Sequence, residues 1–199
     1  MQSDDITFDI ETHPWQPWLP AGAKVLFMGT FPPGAHRWSM DFYYPNPTND
    51  FWRIMGLLLE GDPLALYIKD EKRFDLDRIK ALTERYGIAM SDTVKKARRL
   101  RGNASDKYLE VVEGNDPADL LSQLPGCFDL ATTGEKAAEV IASLTATEAP
   151  RMGGYTEWTM PGGRQVRLWR LPSTSRAYPL KLERKAEFYK VMLQKAGIM

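Results

Sequence analysis

The chain has 199 residues, of which 43% are hydrophobic and 26% charged, and its 26 Lys and Arg balance its 26 Asp and Glu. These are ordinary globular values, and the balance excludes a protein that binds polyanions through overall charge. The single cysteine, Cys127, excludes an intrachain disulfide framework and an iron–sulfur cluster held by several cysteines of one chain. With His13 and His36 as the only histidines, no ordinary zinc site is expected.

Without a run of about 18 apolar residues or a signal-like start, we expect a soluble cytoplasmic protein with no membrane segment. We interpret residues 1–199 as one domain, with residues 1–23 as an arm packed on its surface. That arm contains ETHPWQPWLPAGA, whose three prolines favour an extended chain and whose two tryptophans favour burial of their rings.

Residues 24–52 carry the strongest sign of a ligand site. An apolar strand at residues 24–28 stops at Gly29, and a loop runs from there to Asp50, which opens an apolar-periodic helix. In open α/β sheets such loops build ligand sites at the carboxyl ends of the strands. The loop and the start of the helix contain seven aromatic residues within 22 positions: Phe31, Trp38, Phe42, Tyr43, Tyr44, Phe51 and Trp52. Those rings pack on the domain or on a flat ligand.

The rest of the chain alternates helices with strands. We predict a helix from Asp50 to about Gly61, a helix at 75–86, a strand at 87–94, a helix capped by Asp116, a strand at 128–132, a helix after Gly134, a hairpin of 155–160 and 165–171, and a helix at 182–196. This alternation predicts a three-layer α/β/α sandwich with a mainly parallel central sheet.

One dense basic run follows the strand at 87–94. It contains Lys95, Lys96, Arg98, Arg99, Arg101 and Lys107. Two interpretations remain open, a solvated face and an edge that contacts phosphates.

Two polar loops, residues 29–49 and 172–178, each follow a strand. In a parallel sheet such loops lie on the same edge and can face one another across a cleft. The residues alone predict a cleft with aromatic rings, hydroxyls and amides, which suits a planar heterocycle with a phosphate attached.

Three motifs in these loops resemble those of the uracil-DNA glycosylase superfamily: GTFPPG at 29–34, YYPNPTNDFW at 43–52 and LPSTS at 171–175. The nearest branches are the mismatch-specific uracil/thymine glycosylases and the hypoxanthine-DNA glycosylases. The resemblance implies a four-stranded parallel sheet between helices and monofunctional cleavage of the N-glycosidic bond. It also implies no cofactor, a monomer, and a damaged or mismatched DNA duplex with a flipped base as partner.

The motifs depart from the family pattern at two positions. Phe31 stands where the mismatch-specific enzymes carry a catalytic Asn, and Leu171 stands where the classical enzymes carry a His. The hypoxanthine branch uses an Asn before the FW pair, which corresponds to Asn49. The resemblance therefore implies that Asn49 orients the attacking water. The residues alone favour Asn49 as a helix N-cap, and Asn46 is the second candidate in this loop.

The remaining site roles fall into two groups. Gly29, Thr30, Phe31, Pro32, Tyr43, Tyr44 and Asn46 are expected to contact the base, with Phe31 and either Tyr43 or Tyr44 stacking on it. Ser173, Thr174, Ser175 and Arg176, with Arg98 and Arg99, are expected to contact DNA. The serines could instead form a plain Ser/Thr turn. Residues 176–178 are candidates for a wedge that fills the vacated stack, while Asp92 and His36 are expected to be structural supports.

These observations leave two functions open. The first is a base-excision repair glycosylase that removes a deaminated base, hypoxanthine or uracil, from DNA. The second is a noncatalytic DNA- or nucleobase-binding module on the same fold. A small-molecule α/β hydrolase is disfavoured because the chain has no GxSxG nucleophile elbow.

Overall fold

The computed structural model describes residues 9–100 and 108–199. Its elements in chain order are β1 (Ile10–Thr12), β2 (Val25–Gly29), a 3₁₀ turn (Ala35–Arg37), α1 (Phe51–Glu60), β3 (Tyr67–Ile68), β4 (Arg73–Phe74), α2 (Leu76–Tyr86), β5 (Ile88–Asp92), β6 (Val94–Arg99), β7 (Leu109–Gly114), α3 (Pro117–Ser122), β8 (Asp129–Thr133), α4 (Glu135–Thr145), β9 (Tyr155–Thr159), β10 (Gln165–Leu171) and α5 (Leu182–Lys195).

The central sheet has the strand order β5-β2-β8-β10-β9. Neighbouring strands from β5 to β10 pair in parallel, and β9 pairs antiparallel with β10 at the edge. The sheet is mainly parallel, as predicted, but it has five strands where the family resemblance implied four. The fifth strand comes from the predicted hairpin, whose short turn at Gly162 and Gly163 allows only an antiparallel partner.

Helices cover both faces of this sheet, as predicted. Along β2, Val25 and Phe27 point into a core shared with α1, α2 and α5, while Leu26 and Met28 point into a second core shared with α3 and α4. All four side chains are fully buried, because successive residues of a strand face opposite sides of the sheet. The result is the three-layer arrangement predicted from the strand and helix order.

Local signals set the helix ends where the sequence predicts them. The side chain of Asp75 accepts the N–H of Arg78 at 3.1 Å, and that of Asp116 accepts the N–H of Ala118 at 2.8 Å. At the other end of α2, Gly87 adopts a left-handed conformation with φ 69°. Such caps satisfy backbone groups that have no partner within the helix.

The described part of the N-terminal arm, residues 9–23, packs on the sheet. Trp18 exchanges two backbone hydrogen bonds with Met90 on the outer edge of β5, at 2.9 and 2.8 Å. Covering this edge removes a row of unpaired backbone groups that other chains could pair with. None of the helices in the described ranges has the length and the apolar run needed to span a lipid bilayer.

A second sheet, with the strand order β1-β6-β7, was not predicted. It places the basic run on β6, between the arm and β7. The cations of β6 pair with carboxylates of the neighbouring strands, and the pairs are Lys95 and Lys96 with Glu113, Arg98 with Glu110, and Arg99 with Glu11. Hydrogen bonds from Lys96 and Lys95 lower the pKa of Glu113 to about 2, which keeps it charged. Arg101 and Lys107 lie outside the described residues.

Candidate active site

A cavity of about 720 Å³ opens at the carboxyl ends of β2, β5, β8 and β10. Its size is typical of small-molecule sites. Most of the residues predicted from the motifs line it: Gly29, Thr30, Phe31, Pro32, Tyr44, Asn46, Asn49, Ser173, Thr174, Ser175 and Arg176. Tyr43, Arg98 and Arg99 are not among its lining residues.

The two predicted loops meet at this cavity. The backbone N–H of Asp50 donates to the carbonyl of Thr174 at 2.8 Å, and Asn49 forms an isolated antiparallel bridge with Ser175. The predicted position of the loops on one edge, facing each other, is therefore confirmed.

Asn49 is half-buried at the entrance of α1. Its side-chain oxygen accepts the N–H of Phe51 at 2.9 Å and so satisfies the first N–H of the helix, although the N-cap position predicted for Asn49 belongs to Asp50. Asp50, which precedes the helix, makes no side-chain cap of its own. The Asn49 Nδ2 group has no hydrogen-bond partner among the described residues. Because the backbone fixes one end of the carboxamide, capping and a role in the cavity are compatible.

Asp92 contributes a buried carboxylate to the cavity at the end of β5. His13 of the arm donates from Nε2 to Asp92 Oδ2 at 2.8 Å, and the two side chains are only 5% and 7% exposed. The backbone carbonyl of Asp92 accepts the side-chain N–H of Asn115 at 2.8 Å. One carboxylate oxygen and the backbone carbonyl of Asp92 are thus each held by a hydrogen bond, which agrees with the structural support expected from the sequence, and Asp92 also lines the cavity.

His13 can keep its bond to Asp92 in either charge state. Its Nδ1 lies 3.0 Å from the carbonyl oxygen and 3.2 Å from the backbone nitrogen of Trp15. A neutral ring accepts from that nitrogen, and a protonated ring donates to that oxygen, while Nε2–H donates to Asp92 in both cases. Burial opposes the charged form, but the hydrogen bond and charge of Asp92 outweigh it and raise the pKa of His13.

Gly29 allows the polar groups of the site to approach the backbone. A Cβ at this position would lie 2.7 Å from Asp92 Oδ1 and 3.1 Å from the hydroxyl oxygen of Tyr44. The first distance is shorter than real Cβ contacts and the second is tight, so any other residue would require Asp92 to shift and would crowd Tyr44.

The two tyrosines of the YYPNPT motif have different places. The Tyr44 ring stacks on Phe51 with centroids 4.0 Å apart, and its hydroxyl lies 2.7 Å from Thr133 Oγ1 at the end of β8. Tyr43 is buried in the core against His13, and its hydroxyl donates to the carbonyl of Gln16. The expectation that Tyr43 stacks on a base is therefore corrected, because the chain turns at Tyr44 with φ 52° and directs only Tyr44 to the cavity.

Phe31 lines the cavity, and Arg99 packs against its ring from outside the lining. The Phe31 ring packs against the small apolar cluster of β6 and β7, and the Arg99 guanidinium lies 5.4 Å from the ring centroid. Arg99 also pairs with Glu11 and donates to the carbonyl of Pro32. Arg99 thus holds the loop in place, and Arg98, paired with Glu110, lies outside the cavity lining. Their predicted contact with DNA remains a prediction.

Polar side chains also hold the two loops in shape. The Asn46 side-chain oxygen accepts both the N–H and the hydroxyl of Thr48 at 2.9 Å. Ser173 Oγ accepts the N–H of Ser175, and Ser175 Oγ accepts the N–H of Ala177, both at 3.2 Å. The Ser/Thr-turn interpretation is therefore correct. Each serine hydroxyl still has its own hydrogen to donate.

A buried ion pair connects both loops to α5. Lys185 of α5 is 0% exposed, and its Nζ donates to Asp50 Oδ2 at 2.9 Å and to the Ser175 carbonyl at 2.8 Å. Arg176 donates to the other oxygen of Asp50 at 3.2 Å. Sequence reasoning missed both Lys185 and His13, since each lies far along the chain from its partner. Among the described residues, no group of three or more His, Cys, Asp or Glu is placed to hold a metal ion.

Comparison with known proteins establishes the fold. No family model and no curated protein matches the chain. Among solved structures, the solution NMR structure of a candidate uracil DNA glycosylase from Methanosarcina acetivorans aligns with a TM-score of 0.61 at 21% identity, over 95% of this chain and 99% of that one. At this identity, the likeness shows a shared fold and not a shared activity. The chain therefore has the mixed α/β fold of that protein, with its candidate site at the carboxyl edge of the sheet.

Proposed function

We propose that the protein is a DNA glycosylase that hydrolyses the N-glycosidic bond of a deaminated base, hypoxanthine or uracil, and leaves an abasic site. The observation that carries the proposal is the meeting of Asn49, Asp92 and Tyr44 in one cavity at the carboxyl edge of the sheet. This combination provides an amide to orient water, a carboxylate to accept its proton, and an aromatic ring for the base.

In the proposed reaction the flipped nucleotide enters the cavity and its glycosidic bond breaks. The base leaves with the electron pair of the C1′–N bond, and positive charge develops on the sugar, as in glycoside hydrolysis. Water adds its oxygen to C1′, one of its protons passes to Asp92, and the departing base takes a proton from solvent.

Asn49 and His13 have positioning roles in this scheme. The Asn49 carboxamide is held by the N–H of Phe51, so its Nδ2 group can hydrogen-bond the water without reorienting. It cannot accept a proton as a carboxylate does, and that step falls to Asp92. His13 holds Asp92 Oδ2 in place, which leaves Oδ1 on the side of Gly29.

The cavity offers separate groups for the base and for the phosphates that flank its nucleotide. Tyr44, supported by Phe51, offers a stacking surface, and such stacking contributes about 1–3 kcal/mol per base. The hydroxyls of Ser173 and Ser175 and the guanidinium of Arg176 line the cavity and suit the adjacent phosphates. The motif resemblance and the description of the structural neighbour as a candidate uracil DNA glycosylase support the same reaction class.

The experiment is a panel of labelled duplexes that carry uracil, hypoxanthine, xanthine or a T·G mismatch, each incubated with the protein and then treated with alkali. Strand breaks at one of the deaminated bases are expected. An unmodified duplex is the control.

A noncatalytic binding module is the second candidate, because Phe31 occupies the position of the catalytic Asn of the mismatch-specific enzymes. Lesion-selective binding without breaks anywhere in the panel would favour it.

A further inference from the structure

We propose that a groove beside the cavity binds the phosphate backbone of the DNA strand that leaves the site; this rests on the proposed function and extends it. We call it the Arg37 groove and define it by residues 36–39, 46–48 and 71–73, which line it. It has a volume of about 720 Å³.

The Arg37 groove is continuous with the cavity. Arg37, Asn46 and Thr48 line both of them. Arg176 and Ser175 line the same cavity. A flipped nucleotide carries a phosphate on each side of its sugar. A protein that holds such a nucleotide in the cavity therefore needs to contact the strand on both the 5′ and the 3′ side of it. The serine loop is suited to one of these contacts, and the Arg37 groove to the other.

The Arg37 groove has a net positive charge. Arg37 and Lys72 are exposed, and neither forms an ion pair with any described residue. Arg73 is neutralised by Glu71 at 2.6 Å. The groove therefore presents two cations with no carboxylate partner in the described part of the chain. DNA carries one phosphate charge per about 3.4 Å of each strand, and cations that replace its counterions strengthen binding.

The basic run on β6 differs in this respect. Lys95, Lys96, Arg98 and Arg99 each lie within an ion pair with a glutamate. A phosphate would have to displace a carboxylate at each of these positions. The Arg37 groove is thus a better match for a phosphate backbone than the run that is most basic in sequence.

The walls of the groove are tied together before any ligand binds. Trp38 Nε1 donates to the Pro33 carbonyl at 2.7 Å, and the N–H and hydroxyl of Ser39 donate to the Pro45 carbonyl at 3.0 and 2.9 Å. The N–H of Phe74, after the 71–73 segment, donates to Ser39 Oγ at 3.4 Å. A preformed groove orders fewer groups on binding and so loses less affinity to entropy.

Two double variants with the same change in charge test the proposal. Arg37→Ala with Lys72→Ala removes the groove cations, and Lys95→Ala with Lys96→Ala removes two paired cations of β6 as the matched control. The affinity of each protein for a fluorescent duplex with a tetrahydrofuran abasic-site analogue is measured by anisotropy between about 50 and about 300 mM salt, a range over which counterion release changes affinity strongly. Thermal denaturation checks that each variant is folded.

We expect the groove variant to reduce the magnitude of the negative slope of log K against log salt by about 2, because each phosphate contact contributes about −0.9 to that slope. The control variant should keep the wild-type slope. An unchanged slope in the groove variant, an equal loss in the control, or no salt-dependent binding by the wild type would overturn the proposal. The lesion panel is read separately, so wild-type cleavage with an unchanged groove slope would refute the groove alone, and a groove effect without cleavage would refute the glycosylase alone.

Discussion

Replacing Lys185 with methionine tests how strongly the buried ion pair holds the two loops together. The substitution keeps a long apolar side chain but removes the ammonium that reaches both Asp50 and Ser175. Asp50, itself only 6% exposed, then keeps Arg176 as its remaining ion-pair partner among the described residues, and that side chain is 49% exposed.

The expected cost follows from the geometry. At the observed 2.9 Å between Nζ and Oδ2, Coulomb's law gives an attraction of roughly 6 kcal/mol with an effective dielectric constant of about 20. Desolvation of both groups offsets part of this attraction, but a variant that lacks only the lysine keeps the desolvated carboxylate. Breaking a buried pair in this way typically costs about 3–5 kcal/mol, and we expect Lys185→Met to lower the free energy of unfolding by this amount.

Urea denaturation followed by circular dichroism measures this free energy for the wild type, Lys185→Met, Asp50→Asn and the double variant. The double variant removes both charges, so it should recover much of the stability that Lys185→Met loses. A loss below about 1 kcal/mol in Lys185→Met would show that the buried ion pair does not hold the loops together. So would a double variant no more stable than the single one, because the cost would then come from packing.

Three further changes test other parts of the site. His13→Gln should abolish a stability contribution that is fully present below the unfolded pKa of about 6.5 and is lost as pH rises through the higher folded pKa. Urea titrations from about pH 5.5 to about pH 9 measure this contribution, and a stability difference between wild type and variant that does not change with pH would show that the His13 pKa is not raised. Gly29→Ala should displace Asp92 or Tyr44 and cost about 1–3 kcal/mol of stability, with loss of cleavage. Gly126→Ala, where a Cβ meets nothing closer than 3.7 Å, should have little effect, and equal losses of stability in the two variants would show that Gly29 is not crowded. Tyr44→Leu should weaken binding to lesion-containing duplex by about 1–3 kcal/mol without altering binding to undamaged duplex, and an equal loss for both would exclude stacking on the base.

The elements and the position of the site could be predicted because their signals are local. Asp75 and Asp116 cap helices through residues two or three positions away, and Gly29 ends an apolar strand at the point where the site begins. The loops at 29–49 and 172–178 follow parallel strands, and the sheet topology alone places them on one edge.

The contacts that complete the site could not be predicted, because they join residues far apart in sequence. His13 and Asp92 are 79 positions apart, and Asp50 and Lys185 are 135 positions apart. Lys185 stands in a helix with many charged residues, and nothing in its neighbourhood distinguishes a buried lysine from a solvated one. The basic run was ambiguous for the same reason, because its glutamate partners lie on β1 and β7.

Tyr43 and Tyr44 illustrate a different limit. Both belong to the same aromatic motif, and the residue types alone give no reason to separate them. The left-handed conformation at Tyr44 decides which ring enters the core and which lines the cavity. Non-glycine residues rarely adopt this conformation. The sequence therefore shows that two tyrosines are near the site but does not show which of them faces the cavity.

If Asn49 and Asp92 together carry out base removal at the edge of the sheet, as we propose, the loss of either side chain slows cleavage. The most direct measurement is the single-turnover cleavage rate of the duplex that the wild type processes, for the wild type, Asn49→Ala and Asp92→Asn, with Lys95→Ala as a control outside the cavity. We expect Asp92→Asn and Asn49→Ala each to slow cleavage by about 10²–10⁴-fold while duplex binding and the control rate stay near wild type. Cleavage at the wild-type rate by either cavity variant would contradict the account.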